Sequence, residues 1–447
     1  MESNKSLIKT VPFSEVNLWD VKRFNYIFNQ TFDNAVLLRD ILTPFKQKVS
    51  KEEMIENNWQ IIAKINFSGE LFLREKEQIN TYKGTLNKVP DNSIIYSKIN
   101  VRHGCLYYHE KGKTPFGVST EYPTFVFDNK KVNGYYLKRV LRGEEFKKLL
   151  NTKTSGISKA RVKVDEFLDI RIPLPPIDEQ NRIIENYNKK VLFAKEQKQK
   201  AKRIEREIED YIFSELGIER NIGEGIKKGI QAVSFSTINK WSIDDIFKKN
   251  TIKSTLYDLV SIESVCSIIT DGTHQTPKYF DEGVIFLSAR NVTEEVIDWK
   301  KIKYVSQEAH EGYTKTVKPS INDILLAKNG TTGVAAIIEE DKEFSIYVSL
   351  ALLRPIPEKI LPNFLLRVIN SDVARIQFFS RLIGIGVPNL HLGEIREVQI
   401  PLPPLPKQKE IASKIELLKQ KRANLKIKSK QNLINALKEF EEEIFMK

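Results

Sequence analysis

Only two cysteines occur in 447 residues, Cys105 and Cys266. Neither has a Cys-x-x-Cys partner, which excludes a disulfide framework and a thiolate zinc site as organising features. No apolar run approaches the ~18 residues that a membrane span needs. Met1 to Thr10 is polar and lacks the apolar core of a signal peptide. These absences predict a reducing cytoplasm and no membrane partner. His274 has Asp271 alone at ligand spacing, so no metal is expected.

Catalytic signatures are missing as well. An amino-methyltransferase needs Asn or Asp before Pro-Pro and an aromatic after it, but Pro175-Pro176 and Pro403-Pro404 are preceded by Leu174 and Leu402 and followed by Ile177 and Leu405. A metal-dependent nuclease pattern can be forced from Pro90-Asp91 with Glu145-Phe146-Lys147, yet the gap from Asp91 to Glu145 is wide and the second part lies in a helical stretch. Gly112-Lys113-Thr114 ends like a phosphate-binding loop, but Tyr107 stands where its first glycine belongs. No catalytic residue is expected, and any ATP requirement falls to a partner.

Positive charge is abundant. Lys and Arg total 71 against 58 acidic residues, a net +13, which suits a polyanionic partner such as nucleic acid and fits a merely soluble basic surface equally. The 41% hydrophobic and 10% aromatic content suits folded protein, and the length suits two or three domains.

The strongest internal signal is a repeat. Ile172-Pro173-Leu174-Pro175-Pro176-Ile177 matches Ile400-Pro401-Leu402-Pro403-Pro404-Leu405 at an offset of 228. Gln180 meets Gln408, Ile183 meets Ile411 and Gly156-Ile157 meets Gly384-Ile385 at that same offset. Asn92 to Lys98 resembles Asn322 to Lys328 at 230, Tyr135 to Leu137 resembles Phe364 to Leu366 at 229, and Asn17 to Val21 resembles Asn239 to Ile243 at 222. Small loop insertions account for the drift.

Each half reads as a mixed domain followed by a long helix, giving an α+β class. Short strands are expected at Ile94 to Ile99, Thr124 to Phe127, Gly283 to Leu287, Ile324 to Ala327 and Val334 to Ile338, and helices at Tyr135 to Leu150 and Asn363 to Phe379. After the first proline phrase, Asp178 can cap a helix and Glu179 suits its dipole. No Pro or Gly interrupts Asp178 to Leu216, and Ile184, Tyr187, Val191, Ala194, Ala201, Ile204, Ile208 and Tyr211 form a stripe. A helix over that stretch spans about 58 Å at ~1.5 Å per residue. The second copy has Ile411, Ile415, Leu418, Leu425, Leu433, Leu437, Phe440 and Ile444. An antiparallel coiled-coil pairing within the chain, relating the halves by a pseudo-twofold axis, is expected over a surface helix or a homodimer zipper.

Twofold-related domains on a rigid spacer match two stretches of groove along a duplex. With the repeat and the proline phrases, the sequence resembles the specificity subunit of type I restriction-modification systems over nearly its whole length. The second half carries the family wording Asp271-Gly272-Thr273-His274-Gln275-Thr276-Pro277, Leu287-Ser288-Ala289-Arg290-Asn291-Val292 and Ile383-Gly384-Ile385-Gly386-Val387-Pro388-Asn389-Leu390. The first half has no counterpart to the first phrase.

That resemblance implies two target recognition domains, residues 1–171 and 218–397. Residues 172–217 and 398–447 would be the conserved proline phrases with their spacer helices. The implied partners are double-stranded DNA, two methyltransferase subunits and restriction or translocase subunits. S-adenosylmethionine, ATP and magnesium would act in those subunits, with no cofactor in this chain. A free-standing DNA-binding regulator is the other reading, and a nuclease a remoter one.

Base reading needs polar side chains at base edges and cations on phosphates. In the second half the candidates are Thr273, His274, Arg290, Asn291, and Lys328, Asn329, Thr331 and Thr332 of a turn after a strand, with Asn389 further on. Groove or phosphate contact and plain turn chemistry both fit Lys328 and Thr331. The first-half equivalent holds Lys98, Asn100, Arg102 and His103. The loop around Gly156 adds Lys153, Thr154, Ser155, Ser158, Lys159 and Arg161.

Overall fold

The computed structural model describes residues 34–153, 161–219, 252–382 and 389–445. The chain divides into two compact units, residues 1–197 with 427–447 and residues 198–426. Each unit therefore takes one half of each long helix, rather than whole segments in sequence order.

In the first unit, strand Ala35–Leu37 pairs antiparallel with Arg171–Pro173, setting Val36 opposite Ile172. A four-stranded antiparallel sheet runs in the order Thr43–Phe45, Thr124–Val126, Ser93–Tyr96, Leu106–His109. Helices Gly134–Val140, Glu144–Lys153 and Val164–Leu168 complete the frame. Asn133 caps the first of these through its side chain, which is why the helix begins where sequence spacing places it. Gly143 interrupts the expected continuous run and leaves two helices.

The second unit repeats the plan. Leu259–Ser261 pairs with Gln399–Pro401, and its sheet order is Cys266–Asp271, Leu350–Pro355, Ile324–Ala327, Ala335–Ile337. Helices Pro362–Ile369, Asp372–Ser380 and Leu392–Arg396 follow. Tyr96, Phe125, Tyr136, Phe146 and Phe167 fill the first core and Phe364, Phe378, Ile324, Ile400 and Ile411 the second.

The repeat extends to single hydrogen bonds. The fully buried Gln180 accepts from Asn133 N at 2.9 Å and donates to Lys131 O at 2.9 Å and Pro175 O at 2.8 Å. Gln408 accepts from Leu361 N at 2.8 Å and donates to Lys359 O at 3.0 Å and Pro403 O at 2.9 Å. Every member of the second set follows its counterpart at the offset of the proline phrases. One amide thus locks the proline phrase, the helix start and the domain together. Gln408→Ala strands these buried groups and is expected to cost about 1–3 kcal/mol in urea unfolding. A loss no larger than that of the exposed Gln431→Ala, ~0.5 kcal/mol or less, would show the lock to be idle.

The long helices are Ile177–Glu215 and Leu405–Phe445. Within the first unit they run antiparallel: Arg182 pairs with Glu443, Lys190 with Glu439, and Ser429 Oγ donates to Ala194 O at 2.7 Å. Within the second unit Glu205 meets Arg422 at 3.0 Å and Glu215 meets Lys407 at 2.7 Å, the same sense. Two expectations need correction. Asp178 lies inside the first helical turn instead of capping it. Leu433 is exposed, because the small residues Ala436, Ser429 and Ala194 take the buried positions of the stripe there and let the backbones approach.

What differs between units lies in two insertions into the four-stranded sheet, one between its first and second strands in chain order and one between its third and fourth. The first unit carries a sheet of Lys48–Val49, Leu86–Val89 and Phe116–Val118 and a hairpin of Ile62–Ile65 with Leu71–Leu73. The second carries Lys303–Val305, Val284–Leu287 and Phe344–Ile346, with a parallel pair, and a hairpin of Val292–Thr293 with Val296–Ile297. No helix among the described residues is long and apolar enough to cross a membrane.

Candidate nucleic-acid interface

In the second unit the polar phrase after Cys266–Asp271 is mostly scaffold. Asp271 Oδ2 accepts from Lys328 Nζ at 2.6 Å, with those side chains 14% and 5% exposed. A Cβ at Gly272 would lie 2.0 Å from Ile346 O, so only glycine fits. Thr273 N donates to Ile346 O at 3.0 Å and Thr273 O accepts from Val348 N at 3.0 Å, fixing Tyr347 between them. His274 is 75% exposed, with Nε2 3.3 Å from Asp271 Oδ1.

The second phrase forms a short turn, Ala289–Asn291, bolted from several sides. Asn291 is buried; Oδ1 accepts from Ser288 N at 3.0 Å and Nδ2 donates to Asp298 O at 3.2 Å and Lys301 O at 3.0 Å. Ser349 Oγ accepts from Ala289 N at 3.0 Å, and Thr331 Oγ1 donates to Val292 O at 3.0 Å. Arg290 alone points outward from the turn and is exposed.

Arg290 opens on a cleft of about 490 Å³ lined by Tyr279, Lys301, Lys303, Asn329 and Tyr347. Lys303 Nζ sits 3.8 Å from the Tyr279 ring centroid, and Tyr279 meets Phe286 edge to face at 5.9 Å. Burial raises the Tyr279 hydroxyl pKa above its ordinary value. Cations for phosphates, an arginine for a base edge and an exposed aromatic face are the components of nucleic-acid recognition.

Several candidates change role here. Lys328 and Asn291 are corrected: both are buried with their polar atoms engaged, so neither presents a free group to a groove. Thr332 follows turn chemistry, donating to Lys328 O at 3.5 Å, whereas the Thr331 hydroxyl is taken up by Val292 O across the fold. Asn329 joins Arg290 in the cleft. Asn389 is half-buried, its Oδ1 without a hydrogen-bond partner.

In the first unit Lys98 is half-buried and its backbone N donates to Glu121 O at 3.1 Å, while Val162 N donates to Lys98 O at 2.9 Å. This draws in Arg161, whose exposed guanidinium lies 3.4 Å from Glu121 Oε2, a pair worth under about 1 kcal/mol. Asn100 O accepts from His103 N at 3.0 Å and Cys105 N at 3.3 Å. Arg102 Nε is buried without a partner, and His103 is exposed. Lys153 ends a helix; its side chain and Thr154, Ser155, Ser158, Lys159 and the loop around Gly384 lie outside the described residues, as does Asn17 to Val21.

Sequence reasoning missed Tyr279, Lys303 and Tyr347. The first two lie in visible basic-aromatic runs, Lys278-Tyr279-Phe280 and Lys300-Lys301-Ile302-Lys303-Tyr304, which were a usable signal. The cysteines carry no nucleophile: burial pushes the Cys266 thiol up to about 12 and raises Cys105 as well. His310 lies between Ser345 Oγ at 2.8 Å and Glu343 Oε1 at 3.2 Å, but Ser345 is buried within its strand and closed to substrate.

The type I restriction modification DNA specificity domain model matches residues 254–436. The matched segment is similar to that DNA specificity domain, and the chain as a whole is similar to specificity subunits of type I restriction enzymes. The MjaVIII type I restriction enzyme specificity subunit of Methanocaldococcus jannaschii is 24% identical over 323 residues, 69% of this chain and 70% of that one. The EcoBI specificity subunit of Escherichia coli is 24% identical over 284 residues, 60% of this chain and 56% of the relative. A chain from a solved structure described as showing complex assembly and conformational transition of the type I R-M system shares the fold, with TM-score 0.55 and 15% identity over 92% of this chain and 96% of the other.

Proposed function

We propose that the chain is the DNA-reading subunit of a type I restriction-modification complex, acting in a prokaryotic cytoplasm on a split, asymmetric site. The carrying observation is one frame built twice, down to the Gln180 and Gln408 hydrogen bonds, with unlike inserts in the same slot. Both inserts expose aromatic rings beside cations. A common frame with unlike reading surfaces is what two different half-sites require.

The antiparallel helices serve as spacer and as docking surface. Leu192, Phe193, Ile427, Leu433 and Ile434 are exposed on them within the first unit, although isolated charged helices have no use for such residues in water. Two methyltransferase subunits are the proposed occupants, with restriction or translocase subunits beyond them. S-adenosylmethionine, ATP and magnesium would be used there.

Co-expression with a methyltransferase subunit encoded beside this chain tests the reading. A stable complex that shifts one duplex site over scrambled DNA is expected. A chain that binds DNA specifically and never retains that subunit would instead be a free-standing regulator. Within the complex, Arg290→Ala is expected to lower discrimination at one base pair by about 1–3 kcal/mol, as for a bidentate arginine on guanine. Competition gel shifts against single-base variants of the mapped site read it, and an equal loss on all variants would make Arg290 a phosphate contact.

A further inference from the structure

The hairpin of Ile62–Ile65 with Leu71–Leu73 carries an unusual tip. Its turn is closed by Gly69 N donating to Asn66 O at 2.9 Å and Asn66 N donating to Glu70 O at 3.0 Å. The Glu70 carboxylate is taken up by Asn66 Nδ2 at 2.7 Å. Between them Phe67 is 64% exposed. A phenylalanine in water forfeits about 2 kcal/mol of available burial, so its place at a turn asks for an occupant.

The tip is braced against a second loop. Arg142 donates from Nε to Gly104 O at 3.1 Å and from Nη2 to Phe67 O at 3.2 Å. Burial lowers its pKa, the neighbouring Arg139 adding to this, and the guanidinium holds two backbone carbonyls together. Both loops are shaped for it: a Cβ at Gly69, whose φ is +72°, would lie 2.5 Å from Arg142 Cζ, and one at Gly104, φ +88°, 3.1 Å from Phe67 O. The brace sets the exposed His103 ring 5.3 Å from the Phe67 ring, tilted 47°. Two aromatic rings thus stand side by side at the loop tips, fixed from below.

Cations lie near the rings, and the Glu70 carboxylate at the tip is engaged by Asn66. Arg102 adjoins His103, and Lys64 lies 5.2 Å from the Phe72 ring on the same hairpin. The hairpin also occupies the slot in the frame that in the second unit holds the cleft of Arg290, Tyr279 and Lys303.

We infer that the Phe67 and His103 rings form a wedge that enters one base-pair step of the half-site read by the first unit, unstacking it and bending the duplex. This rests on the DNA-reading function proposed above. Apolar wedges of this kind part a step at a cost of a few kcal/mol, offset by the wider contact a bent duplex allows. With the backbones of the two loops already tied together by Arg142, less loop freedom is lost when the rings enter. The first unit would then select a deformable step as well as base edges, where the second unit reads through a cleft.

The test uses the complex with its methyltransferase subunits and a duplex carrying the site mapped by methylation sequencing, with 2-aminopurine placed in turn at each position of each half-site. Binding is expected to raise fluorescence several-fold at one step in one half-site only. Phe67→Ala should abolish that rise and weaken binding by roughly 10- to 100-fold, about 1.4–2.7 kcal/mol, whereas Phe67→Trp should retain it. An unchanged thermal midpoint is expected, since Phe67 is exposed. Site-specific binding without any such rise in wild type, or a rise that survives Phe67→Ala, overturns the wedge and leaves the reading function standing. Loss of the methyltransferase subunit in Phe67→Ala with the rise intact would mark a protein-docking residue, also against the wedge. Equal affinity of wild type for the site and scrambled duplex overturns the reading function itself.

Discussion

Removing one heptad from each long helix at facing positions, residues 195–201 and 424–430, is expected to shorten the unspecified spacer between half-sites by about three base pairs and leave the half-sites unchanged. Seven residues shorten a helix by about 10 Å, close to three steps of about 3.4 Å along a strand. A heptad also returns the buried stripe to nearly the same face, the mismatch being about 20°. Ala201, Ala194 and Ser429 mark the buried side here, so both copies must lose the same turn pair. Deleting a heptad from one helix alone would slide Ile204 and Ile208 out of register and is expected to abolish binding. Methylation sequencing of cells carrying the double deletion reads the spacer directly, and an unchanged spacer would refute the ruler.

Lys328→Ala is expected to unfold the second unit early rather than weaken a phosphate contact. With Lys328 and Asp271 almost enclosed and 2.6 Å apart, removal of the cation leaves a nearly buried carboxylate with only the exposed His274 ring beside it, at a cost of about 3–5 kcal/mol. For a unit of this size that lowers the thermal midpoint by on the order of 10 °C. Lys328→Met combined with Asp271→Leu should recover much of it, since an apolar pair of similar volume is often as stable as the buried ion pair. If Lys328 held a phosphate, the midpoint of Lys328→Ala would stay within about 1 °C of wild type and the salt dependence of DNA binding would fall by about one unit of slope.

The contrast shows what sequence could and could not convey. The frame was legible because its repeat is a matter of spacing: one constant offset joins the proline phrases, Gln180 with Gln408 and both helix starts. The site was legible only in part. Arg290 and Asn329 line the cleft, whereas their chain neighbours Asn291 and Lys328, also polar, face inward, and one residue of strand or turn geometry decides the direction. The Tyr279 cleft gathers residues far apart in the chain, Tyr279 with Asn329 and Tyr347, a proximity set by tertiary pairing of Val284–Leu287 with Phe344–Ile346. Leu433 fell outside the stripe for a similar reason, since Ala436 and Ser429 permit a helix approach that hydrophobic periodicity does not anticipate.

Exchange of residues 218–397 for the corresponding segment of a related specificity subunit, followed by methylation sequencing of the host genome, tests the central claim most directly. The proline phrases and the two long helices would be kept, while the sheet, the helices and the cleft around Arg290 and Tyr279 come from the relative, which must supply the backbone groups that Gln408 bonds at Lys359 and Leu361. One half of the methylated site should change, with the other half and the spacer as before. A change in both halves would contradict two independent readers on one repeated frame.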